Sequence, residues 1–193
     1  MRARSVMNCV GALAGALSLG ACVTASEPVA STAAATPASN WQIAQQSDRI
    51  TGGPPSGAAW FARSANSRMP GTAPMLLRLT CFKDQPVVQF SFDHKVGSNR
   101  NAVFGYRFDA KPGREIKARF LQDYKTVVIE DRTDVAQFAD ALRASDLLLI
   151  RIQSLNTGNT TAEFKLEGST AAVDAGFAAC PLAPSRARTV ARS

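Results

Sequence analysis

Few side chains in this chain are equipped for chemistry. Four cysteines and a single histidine stand among 193 residues. His94, in Asp93-His94-Lys95, follows an apolar strand pattern. An imidazole can serve as general base to a serine, but no Gly-x-Ser-x-Gly elbow exists to present one. A turn position is the simpler reading. Zinc needs three or four clustered nitrogen, sulfur or oxygen ligands, and one histidine does not supply such a cluster. Gly97-Ser98-Asn99 and Gly52-Gly53-Pro54-Pro55 lack the lysine and helix start of a phosphate-cradling loop. Asp109, Asp123, Glu130 and Asp131 offer material for an acid–base carboxylate pair, with solvated strand ends as the plainer alternative. The outward arginines Arg78, Arg107, Arg119 and Arg151 could form a basic stripe for an acidic partner. The expectation is a binding protein, not an enzyme, with no catalytic, cofactor or metal residues.

The remaining chemistry is that of the thiols, and it begins at the N-terminus. Arg2 and Arg4 form a positive n-region ahead of the uncharged apolar run Val10–Leu19, which is short of the roughly 20 residues a permanent span needs. The run ends in Leu19-Gly20-Ala21-Cys22, which resembles the lipobox of bacterial lipoproteins. That resemblance implies removal of residues 1–21 as a signal peptide and palmitate-type acylation of Cys22 as the mature N-terminus. An ordinary secretory signal followed by a chance cysteine is the alternative. Two or more acyl chains anchor a protein stably to a membrane. Val23 follows Cys22, and the absence of an aspartate there implies an outer-membrane lipoprotein facing the periplasm. With Cys9 in the signal and Cys22 acylated, Cys81 and Cys180 remain. Two cysteines in an oxidising compartment read as one disulfide, with two buried free thiols as the alternative.

Charge and composition bound the rest. The chain carries +7, from 22 Lys+Arg against 15 Asp+Glu. Without Arg2 and Arg4 it carries +5, and without the tail arginines Arg186, Arg188 and Arg192 residues 22–183 carry only +2. Such a balance removes the main argument for nucleic-acid binding. Residues 22–40 read as the acylated cysteine and an Ala/Ser/Thr/Pro linker, residues 41–182 as a β-rich globular domain, and residues 183–193 as a basic disordered tail.

The elements that must position any site follow from periodicity. Trp41–Ile43, Ala58–Arg63, Met75–Phe82, and the alternations about Val88/Phe90/Phe92, Phe104/Tyr106/Phe108, Ile116/Ala118/Phe120, Thr126–Glu130, Leu147–Ile152 and Ala162/Phe164/Leu166 predict about nine short strands. Helical spacing appears in Asp134–Ala144, capped by Asp134, and in Ser169–Cys180, where Val173, Phe177 and Cys180 share a face. Cys81 shares the Leu77/Leu79 face, so both cysteines point inward. The fold class is mainly β: an antiparallel sheet or sandwich with two short helices.

Several of these segments form a familiar order. Trp41-Gln42-Ile43, Leu77-Arg78-Leu79-Thr80-Cys81, Tyr106-Arg107-Phe108-Asp109, Ser145-Asp146-Leu147-Leu148-Leu149-Ile150-Arg151, Ala162-Glu163-Phe164-Lys165-Leu166-Glu167-Gly168 and a terminal Cys180 resemble the VasI/TagO family of envelope proteins associated with type VI secretion. The chain departs from that pattern in lacking a tryptophan just after Cys180. The resemblance implies an envelope protein that partners another envelope component and accompanies a secretion system. The alternative is a periplasmic inhibitor or ligand-binding lipoprotein acting on a cell-wall component or hydrolase, for which a rigid loop at Gly97–Asn101 would be the instrument.

Overall fold

The computed structural model describes residues 40–44, 52 and 57–182. The expectations for the signal peptide, Cys22, the linker up to residue 39 and the tail 183–193 lie outside the described residues.

Ten strands and two helices form among the described residues: β1 (Trp41–Ile43), β2 (Ala58–Asn66), β3 (Thr72–Phe82), β4 (Gln85–Phe92), β5 (Ala102–Phe108), β6 (Arg114–Ile116), β7 (Arg119–Phe120), β8 (Thr126–Ile129), α1 (Arg132–Arg143), β9 (Leu147–Ser154), β10 (Gly158–Lys165) and α2 (Ser169–Gly176). Alternation accounts for the strands, since successive side chains point to opposite faces. In β5, Phe104, Tyr106 and Phe108 are buried while Val103 and Arg107 face water. β10 alternates without a break from Gly158 to Lys165. Lys83 and Asp84 both have positive φ, 49° and 58°, at the β3–β4 turn. This hairpin conformation matches the twist of paired strands, and aspartate tolerates it better than most residues.

All pairings are antiparallel, in the order β6-β5-β9-β10-β2-β3-β4-β8-β7, with β1 beside the first half of β2. The two ends of this order, β6 and β7, are joined by Lys117 and Ala118 alone. The sheet therefore curls until its edges nearly meet. Residues 116–120, expected as one strand, are instead a corner whose halves pair with β5 and β8. That corner supplies the tenth strand.

Inside the curl lies a single core. The Phe90 ring of β4 lies 5.1 Å from that of Phe104 in β5, and Phe138 of α1 packs against Phe90, Tyr106 and Phe108. The cap of α1 is Asp131, not Asp134: its carboxylate accepts from the Thr133 and Asp134 amides. Such a cap is worth about 0.5–2 kcal/mol. α2 ends at Gly176, four residues short of Cys180. A Cβ on Gly176 would stand 2.6 Å from Leu79 Cβ, so the absent side chain lets the helix lie against β3. Cys81 and Cys180 are disulfide-bonded with Cα atoms 5.8 Å apart, tying that contact shut. α1 joins β8 to β9 and α2 follows β10 at the same end of the sheet, leaving the other end to turns.

Candidate functional site

Four connections gather at that other end: residues 67–71 between β2 and β3, 93–101 between β4 and β5, 121–125 between β7 and β8, and 155–157 between β9 and β10. They hold one another by hydrogen bonds to main-chain carbonyls. Arg68 donates to the Asn156 and Leu155 carbonyls, Leu155 N to Asn101 O, and Val96 N to Tyr124 O. Asn99 and Phe120 exchange two bonds, Nδ2 to the carbonyl at 3.1 Å and amide to Oδ1 at 2.8 Å. The Gly97–Asn101 loop is thus braced, with Ser98 and Asn101 closing it internally. Gly97, at φ 127°, is needed there: a Cβ would meet Ala102 Cβ at 2.5 Å.

Between these turns lies a groove of about 630 Å³. Its free side chains are Lys95, Arg100, Gln122, Tyr124 and Asn156, and no carboxylate lines it. The Lys95 ammonium stands 5.8 Å from the centre of the Tyr124 ring. Tyr124 has φ 58°, a conformation uncommon for a bulky residue, and is 46% exposed. The neighbouring Asp123 points elsewhere, accepting from the Thr126 hydroxyl and from the amides of Lys125 and Thr126. Thr157, on the groove wall, buries its Oγ1 without a hydrogen-bond partner.

Below the groove the inward face of the sheet turns polar. Ser64, Asn66, Ser154 and Thr160 are all buried there. His94 reaches into this layer with Nε2 3.3 Å from Thr160 Oγ1. The same oxygen accepts from Asn66 Nδ2 at 2.8 Å. Thr160 is fully buried, so its hydroxyl serves the core and not a substrate. Burial lowers the His94 pKa, the Asp93 carboxylate opposes that, and the Lys125 ammonium adds to it. The histidine is thus half-buried and tied to β10, more than a simple turn residue.

The sequence-derived candidates separate in space. Of the four carboxylates, Asp109 accepts from the Asp146 and Leu147 amides, Asp123 closes its turn, Glu130 forms a two-bond pair with Arg119, and Asp131 caps α1. The Arg119 hydrogen bonds hold Glu130 below the usual carboxylate range. Arg107 and Arg151 are neighbours on β5 and β9, but Arg151 pairs with Glu115 at 3.2 Å. Arg78 lies on β3, three strands from β9, and Arg119 on the edge strand β7. The four arginines are exposed but form no single stripe. No group of three or more His, Cys, Asp or Glu side chains suited to a metal occurs among the described residues. No helix among them is long and apolar enough to cross a membrane.

The groove itself was missed by sequence reasoning. Lys95, Arg100, Gln122, Tyr124 and Asn156 come from three turns up to 61 positions apart, and no local pattern links them. A cation inside the braced Gly97–Asn101 loop was the one available signal. No family model matches the chain, and no curated protein or solved structure does either.

Proposed function

We propose that this chain is a lipid-anchored cell-envelope protein held at the outer membrane by an acylated Cys22, with a periplasmic β-rich domain that binds another envelope component. In the order of its segments the domain is similar to type VI secretion accessories, and that is the role proposed for it. The observation that carries the reading is the division of the cysteines. Cys22 closes a lipobox-like sequence, while Cys81 and Cys180 are joined across the domain, as suits an oxidising compartment.

The test is metabolic labelling with an alkynyl palmitate analogue, followed by membrane fractionation. The wild-type chain is expected to carry label and sediment with outer membrane, and Cys22→Ala to lose both properties. Equal labelling of the variant would sink the anchor. For the secretion role, deletion of the gene should reduce type VI-dependent killing of a competitor strain, and Cys22→Ala should fail to restore it. A second reading, inhibition of a cell-wall hydrolase, draws on the bracing of Gly97–Asn101, which presents Arg100 on a fixed loop. Slowed hydrolysis of cell wall by such an enzyme in the presence of the full chain, relieved by Arg100→Ala, would favour it.

A further inference from the structure

The groove between the turns has a definite chemical character. Its two charges are both positive, Lys95 and Arg100, and neither has a carboxylate partner among the described residues. A guanidinium is a planar fork of donors that matches a carboxylate in two parallel bonds. Beside these cations stands the half-exposed Tyr124, with the Lys95 ammonium over its ring, and around them the uncommitted amides of Gln122 and Asn156. An aromatic face with flanking amides suits a ring that is apolar on one side and carries hydroxyls at its edge, as a sugar does. The volume, about 630 Å³, lies within the usual range of small-ligand sites, roughly 300–1,000 Å³. The backbone of the groove is also held ready. Asn99 is bonded twice to Phe120, Val96 to Tyr124 and Leu155 to Asn101, so a ligand has side chains to order and not loops.

We propose that this groove binds a carboxylate-bearing glycan, with Arg100 and Lys95 on the carboxylate, Tyr124 against a sugar face, and Gln122 and Asn156 on its hydroxyls. Its source as cell-wall glycan, whose peptide stems carry free carboxylates, rests on the envelope reading above; the site itself does not.

The purified full-length chain, labelled with ¹⁵N, would be titrated with a disaccharide-tetrapeptide muropeptide, with the same muropeptide amidated at its carboxylates, and with tetragalacturonate. Amide shifts are expected at residues 95–101, 120–124 and 156–157, with weaker binding of the amidated form. Arg100→Gln and Lys95→Gln together should raise Kd by about tenfold or more, as loss of charge-assisted bonds demands. Tyr124→Leu should weaken binding severalfold while leaving the melting temperature unchanged. Tetragalacturonate binding with the same dependence on Arg100, but no muropeptide binding, would support the site and overturn its cell-wall source. No shifts with either glycan at millimolar concentration, or equal binding by the Arg100→Gln/Lys95→Gln variant, would overturn the proposal. A Cys22→Ala chain that still takes up the palmitate analogue and binds muropeptide would defeat the anchor and leave the groove standing.

Discussion

His94 is pulled between two environments. Its Nε2 faces Thr160 in the polar layer, its Nδ1 is buried without a hydrogen-bond partner, and its chain neighbours Asp93 and Lys95 are exposed. Burial dominates and keeps the folded ring toward the neutral form, despite Asp93. The sign follows. An unfolded histidine titrates near 6.5, the folded one lower, so just below that pH the unfolded chain binds more protons. Stability should therefore fall as pH drops through that window. His94→Gln keeps a polar tip toward Thr160 without the titration, and its unfolding midpoint should stay nearly flat between about pH 7 and 5. Parallel pH profiles for the two proteins would refute this account. The carboxylates held low in the fold, Asp109, Asp123 and Glu130, lose their contribution only beneath their ordinary values of 3.8 to 4.5, so the two effects separate on the pH axis.

Elements were legible wherever a period of two or 3.6 ran unbroken. Val88, Phe90 and Phe92 announce β4, and Val135, Phe138, Ala139 and Leu142 announce the buried face of α1. Legibility failed where tertiary contacts redirect the chain. Ile116, Ala118 and Phe120 keep strand alternation through the corner, because bending the backbone between β6 and β7 leaves the side-chain pattern intact. Val173, Phe177 and Cys180 likewise keep helical spacing beyond the end of α2, since all three remain buried. Gly176 shows the difference most sharply. Propensity alone says that alanine there would gain at most about 1 kcal/mol. Packing says otherwise: the new methyl would press on Leu79 Cβ at 2.6 Å and the Leu79 carbonyl at 3.3 Å, against a residue that is itself fully buried. Overpacking of this kind costs about 1–3 kcal/mol, so Gly176→Ala should lower the denaturation midpoint. A raised midpoint would mean that α2 yields and its seat on β3 is loose. Asp131→Ala should cost about 0.5–2 kcal/mol through the lost cap, whereas Asp134→Ala should cost less.

For the molecule as a whole, one end of the curled sheet is closed by helices and a disulfide, and the other by interlocked turns. The first end carries the covalent tie and the second the proposed groove, with His94 reaching from the turns into the buried polar layer. The proposed compartment and the fold meet at the disulfide. Cys81 is at the close of β3, which lies in mid-sheet between β2 and β4, and Cys180 follows α2 at the end of the described residues. Their bond, across a sequence separation of 99, encloses most of the domain. A loop that long restricts the unfolded ensemble strongly, and loss of such a bond typically costs about 2–5 kcal/mol. Against the roughly 5–15 kcal/mol that hold a domain folded, that is a large share. Cys81→Ala/Cys180→Ala should therefore unfold at distinctly lower denaturant, and reductant should move the wild type toward the variant. On the proposed envelope location, protein isolated from cells without reduction should resist alkylation at both positions. Two freely alkylated thiols, or a midpoint indifferent to reductant, would break the link between this fold and an oxidising compartment.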